Sequence, residues 1–471
     1  MDDKIISYTD TGGMLLPQRI TSPPIITDAA LTDALNKWNS FRPRYRRLYR
    51  YYIGDHDITR REGQGPLAIS NVCRYITKVI NGYLVGNAPS YSAQEGDTYG
   101  EEIIELFRKQ SKSSVESEIC KNLSIYGSAL ELVYLDEDGI PKSTVLSPRE
   151  AFVAYETSIE GDSVYGAVVY PKKDESNRDY YDLHVYTRTD VEVWRSPSSS
   201  GGWTRIGDPV PHGFGRVPLI EYINDGDRMG DFESIISLQD RYNSLLTDRL
   251  DDKDAFVRST LIIQGHVLGM SHDEVEESVE NMNKLRVLQL NEGGSVSYLD
   301  RIMDESGVQI LQDQLASDIH KVAMVPDLSD EQFSSNASGV AMAYKLFGTD
   351  QVASEKIARI QKGFSRRCKL YDTAMFNSQR SDSYTPSAVI QDMKITFRLN
   401  TTQDIAYMAS AFTQLTGSRI LSRSTARAHL SIVDDPLAEG EKVALEQDED
   451  AESMRLSFED DFARDIDDEE I

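Results

Sequence analysis

Residues 231–257 read DFESIISLQDRYNSLLTDRLDDKDAFV, a stretch that mixes apolar residues with many aspartates. Apolar residues recur at spacings of three and four, which predicts one long helix with a single apolar stripe. The stripe consists of Ile235, Leu238, Tyr242 and Leu245. Aspartates crowd the other positions, namely Asp240, Asp248, Asp251, Asp252 and Asp254. The sequence therefore predicts a long, amphipathic and acidic helix.

A small αβ module of about forty residues follows this helix. Leu261–Gln264 predicts a strand, and Ser271 with Glu274 has the spacing of a capping box at the start of an acidic helix. Arg286–Leu290 and Ser295–Leu299 flank Asn291-Glu292-Gly293-Gly294, a hairpin signal. A returning helix is then predicted over Arg301–Met324, with Leu311, Leu315, Ile319 and Val322 on one face.

Further downstream, the polar, breaker-rich stretch Pro326–Ser338 precedes a very long helix, about Val340–Asn377. Its apolar stripe runs from Ala353 to Met375, and a basic face carries Arg359, Lys362, Arg366 and Lys369. We predict a strand at Lys394–Leu399 and small helices at Gln403–Leu415, Ser422–His429 and Pro436–Glu446.

Upstream, four helices are predicted before a β region. They span Asp28–Tyr52, Asn71–Val85, Glu101–Gln110 and Val115–Tyr126. The first has one apolar face, formed by Leu31, Leu35, Trp38 and Phe41. Alternating apolar residues and short polar turns over 128–223 predict an antiparallel β region, with strands at Ala129–Leu135, Lys142–Leu146, Val164–Tyr170, Tyr180–Thr187, Asp190–Trp194 and Trp203–Ile206. The fold class is therefore α+β.

The charge of the chain is strongly negative and unevenly distributed. The 471 residues include 50 Lys+Arg and 77 Asp+Glu, a net charge of −27. Residues 431–471 contain seventeen acidic and three basic residues, so about half of the net charge lies there. A dense like-charge run stays solvated, which predicts a solubilising tail. The balance argues against a protein that wraps DNA on a basic surface.

Cysteine usage and hydropathy place the chain in a reducing compartment. Cys73, Cys120 and Cys368 are far apart, and no CxxC occurs, so neither a disulfide framework nor structural zinc is expected. The start, Met1-Asp2-Asp3-Lys4, lacks a secretory signal, and no apolar stretch is long enough to span a bilayer. We therefore expect a soluble, intracellular protein.

Most catalytic signatures are missing: the sequence contains no GxxxxGK[ST], HExxH or GxSxG. Asp248 and Asp252, four residues apart on a helix, are the best pair for a metal nuclease, but no nearby His or Lys completes a site. Solvated or interface carboxylates are the favoured interpretation. We predict no catalytic residue, metal or cofactor.

Arginines and aromatic residues alternate between Phe41 and Tyr52. Such a cluster can bind phosphate and stack bases, or it can form cation–π contacts and ion pairs in a subunit interface. Because the chain is acidic overall, we favour the interface. The candidate interface residues are Arg44, Arg46, Arg47, Arg359 and Arg366.

In order and spacing, several short stretches resemble portal proteins of tailed bacteriophages, of the type found in long-tailed phages or prophages of Gram-positive hosts. They are Tyr51-Tyr52-Ile53-Gly54-Asp55-His56 followed by Asn71-Val72-Cys73, Gly82-Tyr83-Leu84-Val85-Gly86-Asn87-Ala88-Pro89, His212 to Glu221 with Asn224, Arg241-Tyr242-Asn243 leading to Leu250-Asp251-Asp252, and Pro326-Asp327-Leu328-Ser329 with Ser338-Gly339-Val340-Ala341. The likeness covers about residues 30–445.

The resemblance implies the regions of a portal ring subunit. They are an N-terminal arm and α/β wing (1–230), a two-helix stem (231–263 and 301–325), a small αβ clip (264–300), a channel loop (326–339), a long wing helix with its strand (340–400), a helical crown (401–450) and an acidic flexible tail (451–471).

The same resemblance implies functional positions. The DNA-facing channel loop would use Ser334, Ser335, Asn336 and Ser338, with Lys345 shortly after it. Stem residues Asp240, Asp248, Asp251 and Asp252 would line the channel, where an acidic wall repels phosphate and lets DNA slide. In the clip, His272, Glu276, Glu280, Asn291 and Glu292 would dock partners.

By resemblance, the protein is a non-enzymatic ring of twelve copies at one capsid vertex of the virion, assembled in the host cytoplasm. It would conduct double-stranded DNA without sequence specificity during packaging and ejection. Expected partners are the terminase large subunit, a head–tail adaptor, and the major capsid and scaffolding proteins, with no membrane. The alternatives are a metal-dependent nuclease or other DNA-processing enzyme of head morphogenesis, and a scaffolding protein, which the substantial β region disfavours.

Overall fold

The computed structural model describes residues 17–62, 64–93, 98–111, 115–159, 161–174, 176–197, 201–257, 261–264, 295–298, 305–328, 339–379, 393–400, 405–430, 433 and 439–452. Helices and strands are both abundant, so the α+β class is confirmed. The chain divides into two compact units. One comprises Met1–Gly82, Tyr91–Asp327 and Gly348–Ile395, and the other comprises Tyr83–Ser90, Leu328–Phe347 and Thr396–Ile471.

Helix α1 (Asp28–Ile53) opens the first unit. The Thr27 side chain accepts a hydrogen bond from the Ala30 amide at 3.2 Å, and Gly54 ends the helix in the left-handed region with φ of 94°. The predicted stripe of Leu31, Leu35, Trp38 and Phe41 is buried. These apolar contacts, with the Trp38 indole donating to a β-region carbonyl at 2.9 Å, fix α1 against the sheets.

Three more helices follow, each beginning and ending within three residues of its prediction: α2 (Val72–Val85), α3 (Thr98–Ser111) and α4 (Val115–Tyr126). Helix α4 is buried along nearly its whole length, including Cys120, Leu123 and Tyr126. A short strand, β2 (Ser90–Ser92), separates α2 from α3.

The predicted β region forms two sheets. Its strands are β3 (Ser128–Leu135), β4 (Pro141–Leu146), β5 (Ala151–Tyr155), β6 (Ser163–Lys173), β7 (Asp179–Tyr186), β8 (Asp190–Ser196), β9 (Thr204–Pro211) and β10 (Leu219–Ile223). With β1 (Ile20–Thr21) at its edge, the six-stranded sheet has the order β1-β5-β6-β7-β8-β9, and the three-stranded sheet has the order β10-β3-β4. All pairs are antiparallel except that β1 runs parallel to β5.

Three strands of these two sheets lay outside the strand predictions: β1, β5 and β10. Strand β5 is buried at all five positions, so its sequence AFVAY does not alternate. Strand β1 has only two residues and no measurable period. In the core between the sheets, Leu219 of β10 packs with Leu132, Val153 and Val168. The unpredicted strands therefore complete the apolar core.

The long acidic helix predicted over 231–257 begins as a 3-10 turn, Glu233–Ile235, and continues as α5 (Ile236–Val257). It packs alongside α6 (Glu305–Ala323), where Arg249 donates to Gln312 at 2.7 Å. Strand β11 (Leu261–Gln264) pairs antiparallel with β12 (Ser295–Tyr298), with Leu261 opposite Tyr298. The predicted first arm of the hairpin, Arg286–Leu290, and the acidic helix from Ser271 lie outside the described residues.

Helix α7 (Gly339–Gln379) is 41 residues long. Its predicted core stripe holds: Ala353, Ile360, Phe364, Cys368, Tyr371 and Met375 are buried. The strand β13 (Lys394–Thr396) is shorter than predicted. In the second unit, α8 (Ile405–Gly417) and α9 (Arg423–His429, capped by Ser422) precede a helix over 439–452, so the predicted crown–tail boundary at 450 falls inside a helix.

Candidate channel and assembly surfaces

A ladder of polar side chains runs along α5. Its members occur every fourth residue and accept hydrogen bonds from backbone amides of residues 64–72, which we call the strap. The pairs are Val72 N to Gln239 Oε1 (3.3 Å), Ser70 N to Asn243 Oδ1 (3.0 Å), Ala68 N to Thr247 Oγ1 (3.1 Å) and Gly65 N to Asp251 Oδ1 (2.9 Å). Gln239, Asn243 and Thr247 are buried. The ladder therefore holds the strap in one register along α5.

Asp240, predicted to line the channel, is engaged within its own subunit. Its Oδ2 accepts a hydrogen bond from the Tyr51 hydroxyl at 2.8 Å. His56 stacks on the Tyr51 ring with 4.6 Å between ring centroids, and its Nδ1 lies 2.9 Å from the Asn243 amide nitrogen. Burial raises the pKa of Asp240 and lowers the pKa of His56. Asp240 thus joins α1 to α5.

The other predicted channel-lining acids differ in their contacts. Asp248 Oδ1 accepts from Gln64 Nε2 at 2.8 Å and lies 3.4 Å from the Arg61 guanidinium. Asp251 binds the strap through Gly65. Asp252 is partly exposed and has no hydrogen-bond or ion-pair partner within the described part of the chain. Channel lining stays a prediction, and Asp252 is the member of the set that the subunit itself leaves unengaged.

The nuclease alternative needs carboxylates that converge on metal ions. Over the described ranges, no three side chains of His, Cys, Asp or Glu come together in a way that could hold an ion. Asp248 Oδ1 accepts from Gln64 of the strap and lies beside Arg61. The described residues therefore supply no site for that alternative.

Arg44, a predicted interface residue, is enclosed within the subunit with 3% of its surface exposed. Its guanidinium forms a two-pronged ion pair with Glu233, with Nε 2.6 Å from Oε1, and also donates to the carbonyl of Arg228 at 3.0 Å. It ties α1 to the turn before α5, so its charge is not available at the subunit surface. This tertiary contact over 189 positions has no signal in the local pattern.

The remaining interface candidates keep surface access. Arg46 is exposed. Arg47 pairs with Asp57 at 2.7 Å and stacks over Tyr51. On α7, Arg359 pairs with Glu355 at 3.1 Å, and Arg366 donates to the Ser163 hydroxyl at 2.6 Å. Their interface role stays a prediction.

Two buried ionic networks were not predicted from the sequence, and both involve α7. Lys356 Nζ lies 2.8 Å from Asp231 and 2.5 Å from Asn224 Oδ1. Arg367 lies 2.6 Å from both Glu116 and Glu131. Burial of Arg367 opposes its charge, yet Glu131 and other acids hold its pKa well above the usual value. The sequence feature that could have indicated these networks is a basic residue next to the apolar stripe of α7.

Glu131 also connects Arg367 to the three-stranded sheet. The Tyr222 hydroxyl donates to its Oε2 at 2.6 Å, and burial raises the pKa of Tyr222 well above its usual value. Burial alone would raise the pKa of Glu116, but Arg367 lowers it overall. Paired buried charges of this kind favour one arrangement of helix and sheet, because any other would leave a charge buried without a partner.

The predicted channel loop and clip positions Ser334, Ser335, Asn336, Ser338, His272, Glu276, Glu280, Asn291 and Glu292 lie outside the described residues. Lys345 is described and is half-buried on α7.

All three cysteines are buried and free, and burial raises the pKa of Cys120 and of Cys368 to about 12. Among the helices that the structure describes, none is long and apolar enough to cross a membrane.

Large apolar side chains are exposed on the paired helices α5 and α6. Ile310 is 70% exposed, Leu311 52% and Leu250 51%. Of the predicted α6 stripe, Ile319 is buried, but Leu311 and Val322 face solvent in the isolated subunit. An apolar helix surface of this kind is typical of a surface that a partner covers.

The family described as "Phage portal protein, SPP1 Gp6-like" matches residues 32–453. The portal protein of Bacillus phage SPP1 is 23% identical over 403 residues, which cover 82% of this chain and 77% of that protein. A solved structure described as "Neck of empty GTA particle computed with C6 symmetry" shares 12% identity and a TM-score of 0.44, covering 75% of this chain and 88% of that one.

The family match spans most of the chain, so the fold described above is that of a phage structural protein. The chain belongs to the SPP1 Gp6-like family of phage portal proteins. Its function is therefore that of a phage portal protein, a structural component located in the virion at the capsid vertex.

Proposed function

We propose that copies of this chain close into a ring of twelve whose central channel conducts double-stranded DNA during packaging and ejection. In this proposal α5 (extended to 263) and α6 (301–325) form the stem, residues 264–300 the clip, residues 326–339 the channel loop, and 401–450 the crown. The α/β half with α7 forms the wing, and the chain acts without catalysis.

The exposed apolar surface of the α5–α6 pair carries this proposal. Ile310, Leu311 and Val322 lie within four helical turns on α6, and Leu250 lies on α5. Burying such side chains contributes about 25 cal/mol per Å² of apolar area. Packing each helix pair against the next pair around a ring would cover this surface, whereas a monomer would leave it in water.

The channel proposal rests on charge. Asp252 carries an unengaged carboxylate on α5, and the chain as a whole is acidic. An acidic wall repels phosphates, so DNA would slide without adhering. The clip positions would dock the terminase large subunit during packaging and the head–tail adaptor afterwards, and assembly with capsid and scaffolding proteins would take place in the host cytoplasm.

Native mass measurement and negative-stain imaging test the ring. We expect annular particles of defined mass from the wild-type chain and monomers from Ile310→Glu/Leu311→Glu, because the charges would be buried at the contact. Ile206→Glu/Val210→Glu, at two apolar residues of β9 that are 39% and 63% exposed, is the matched control and should leave rings intact. A wild-type chain that stays monomeric under all conditions would contradict the proposal.

A further inference from the structure

Five cationic side chains converge on one cleft of about 340 Å³ in the first unit. They are Arg19, Arg188, Arg216, Arg366 and Lys369, and they face one carboxylate, that of Asp162. None of the five has an ion-pair partner among the residues that the structure describes. Like charges so close together repel one another. Such a cluster of cations stands out in a chain whose net charge is −27. The arrangement calls for an anionic partner.

The cleft is built by several elements. Arg19 lies with its guanidinium 4.1 Å from the centre of the Tyr155 ring and donates to the Gly161 carbonyl. Arg366 is anchored by Ser163. Arg216 and Lys369 are exposed and make no side-chain hydrogen bond within the described ranges. Two cations are thus held in place and others are free to pair with an incoming group.

An acidic surface lies on the other side of α7. Phe107 of α3 packs against Phe364 and Tyr371, with ring centroids 5.4 and 4.8 Å apart. Because a helix turns by about 100° per residue, Arg366 and Lys369 lie on the opposite face of α7 from these two aromatic residues. The basic cleft and α3 are therefore on opposite sides of that helix.

Helix α3 turns its carboxylates away from this packing. Gly100, Ile103, Ile104 and Phe107 are buried, whereas Glu101, Glu102 and Glu105 are exposed. Glu105 lies 3.6 Å from Lys109 on its own helix, and Glu101 and Glu102 have no ion-pair partner in the described part of the chain. A basic and an acidic surface thus lie on opposite sides of one subunit, as a ring of identical head-to-tail contacts requires.

We propose that the cleft binds the acidic face of α3 from a second copy of the chain. This inference rests on the proposed ring and places a wing-to-wing contact in it. A DNA duplex is the other polyanion that a portal protein meets. Because the duplex is a rigid, convex cylinder and the cleft is a recess, its shape fits the cleft poorly. The net charge of −27 also opposes binding of a long polyanion. Exposed glutamates on a helix suit a recess lined by arginine.

Charge exchange tests the contact. The cleft variant is Arg216→Glu/Lys369→Glu, and the helix variant is Glu101→Lys/Glu102→Lys. Each variant by itself places like charges across the contact, so the fraction of chains in rings should fall about tenfold or more. Mixed in equal amounts, the two should form rings with alternating copies, because every contact again joins opposite charges. Native mass measurement reports ring fraction and the ratio of the two variants.

The control carries the same charge change elsewhere: Lys78→Glu/Lys394→Glu alters two exposed lysines outside the cleft and should keep its rings. If the cleft variant forms rings as well as this control, the inference is wrong while the ring proposal stands. If each variant loses its rings and mixing the two does not restore them, the inference is also wrong. Intact rings that fail to retain DNA would assign the cleft to phosphate instead. Absence of rings in the wild type would contradict the proposed function itself.

Discussion

The Nζ atom of Lys356 lies 2.8 Å from both carboxylate oxygens of Asp231, and the two side chains are 1% and 3% exposed. Replacing Lys356 by Met would leave the Asp231 charge buried without its partner, which costs about 3–5 kcal/mol. We expect the free energy of unfolding, measured by denaturant titration, to fall by about that amount. Lys362→Met, at an exposed lysine of the same helix, should change it by less than about 0.5 kcal/mol.

Adding Asp231→Asn to Lys356→Met should recover part of the loss, since no buried charge would then remain. If Lys356→Met is as stable as the wild type, the buried pair does not exist in solution.

The strap comes close to α5 at Gly65, where a Cβ atom would lie 2.6 Å from Asp251 Oδ1. Gly65→Ala should therefore break the 2.9 Å bond between this amide and Asp251 and speed hydrogen exchange of the strap amides. Gly82→Ala, where a Cβ atom would meet nothing within 4 Å, is the control. Unchanged exchange at residues 65, 68 and 70 in the Gly65→Ala variant would contradict the ladder.

Acid sensitivity should depend on Asp182, whose side chain is 2% exposed and pairs with Arg195 at 2.7 Å and Lys172 at 2.8 Å. These partners, Arg195 first, lower its pKa from 3.8 to about 2. Its stabilisation is present above pH 3.8 and is lost as the pH falls through about 2. The unfolding free energy should fall less steeply between pH 4 and 2 in Asp182→Asn. An equal slope in that variant and in the exposed-site control Asp208→Asn would contradict this.

Deleting residues 334–338 should leave ring assembly unchanged and block DNA packaging, because the small polar side chains there are proposed to face DNA. Particle mass and the DNA content of filled heads would be measured together. Normal filling would refute the channel-loop assignment.

Removing residues 459–471 should be tolerated in assembly, because the segment adds like charges that repel one another. Ring yield and solubility of the truncated chain are the measurements. Loss of soluble rings would show that the tail does more than solubilise.

The spacing of apolar residues predicted most of the fold, because long amphipathic helices have a clear sequence pattern. The apolar stripe of α7 from Ala353 to Met375 and the stripe of α1 were both predicted and are buried. Strands β5 and β10 were not predicted, since a strand buried on both faces loses its alternation. The pairing of β11 with β12 was also missed, because the hairpin signal between 291 and 294 suggested a different partner.

The candidate site was harder to predict than the fold. Asp240 was predicted to line the channel and Arg44 to lie at a subunit interface, but their partners within the subunit, Tyr51 and Glu233, are 189 residues away in each case. Local spacing cannot show such contacts. Lys356 and Arg367 were overlooked because a cation beside an apolar stripe is usually solvated, and burial becomes evident only when its acids are in place.

The two buried cations of α7 have a mechanical consequence. Lys356 and Arg367 are eleven residues apart, about 16 Å along the axis. Lys356 pairs with Asp231, and Arg367 pairs with Glu116 and Glu131. Sliding or rotating the helix by one turn would withdraw both cations at once and strand their carboxylates in the core. The two buried ion pairs therefore restrain both the axial position and the rotation of the helix. A force on this part of the helix is therefore passed to the elements that carry these carboxylates, because the helix cannot slip past them.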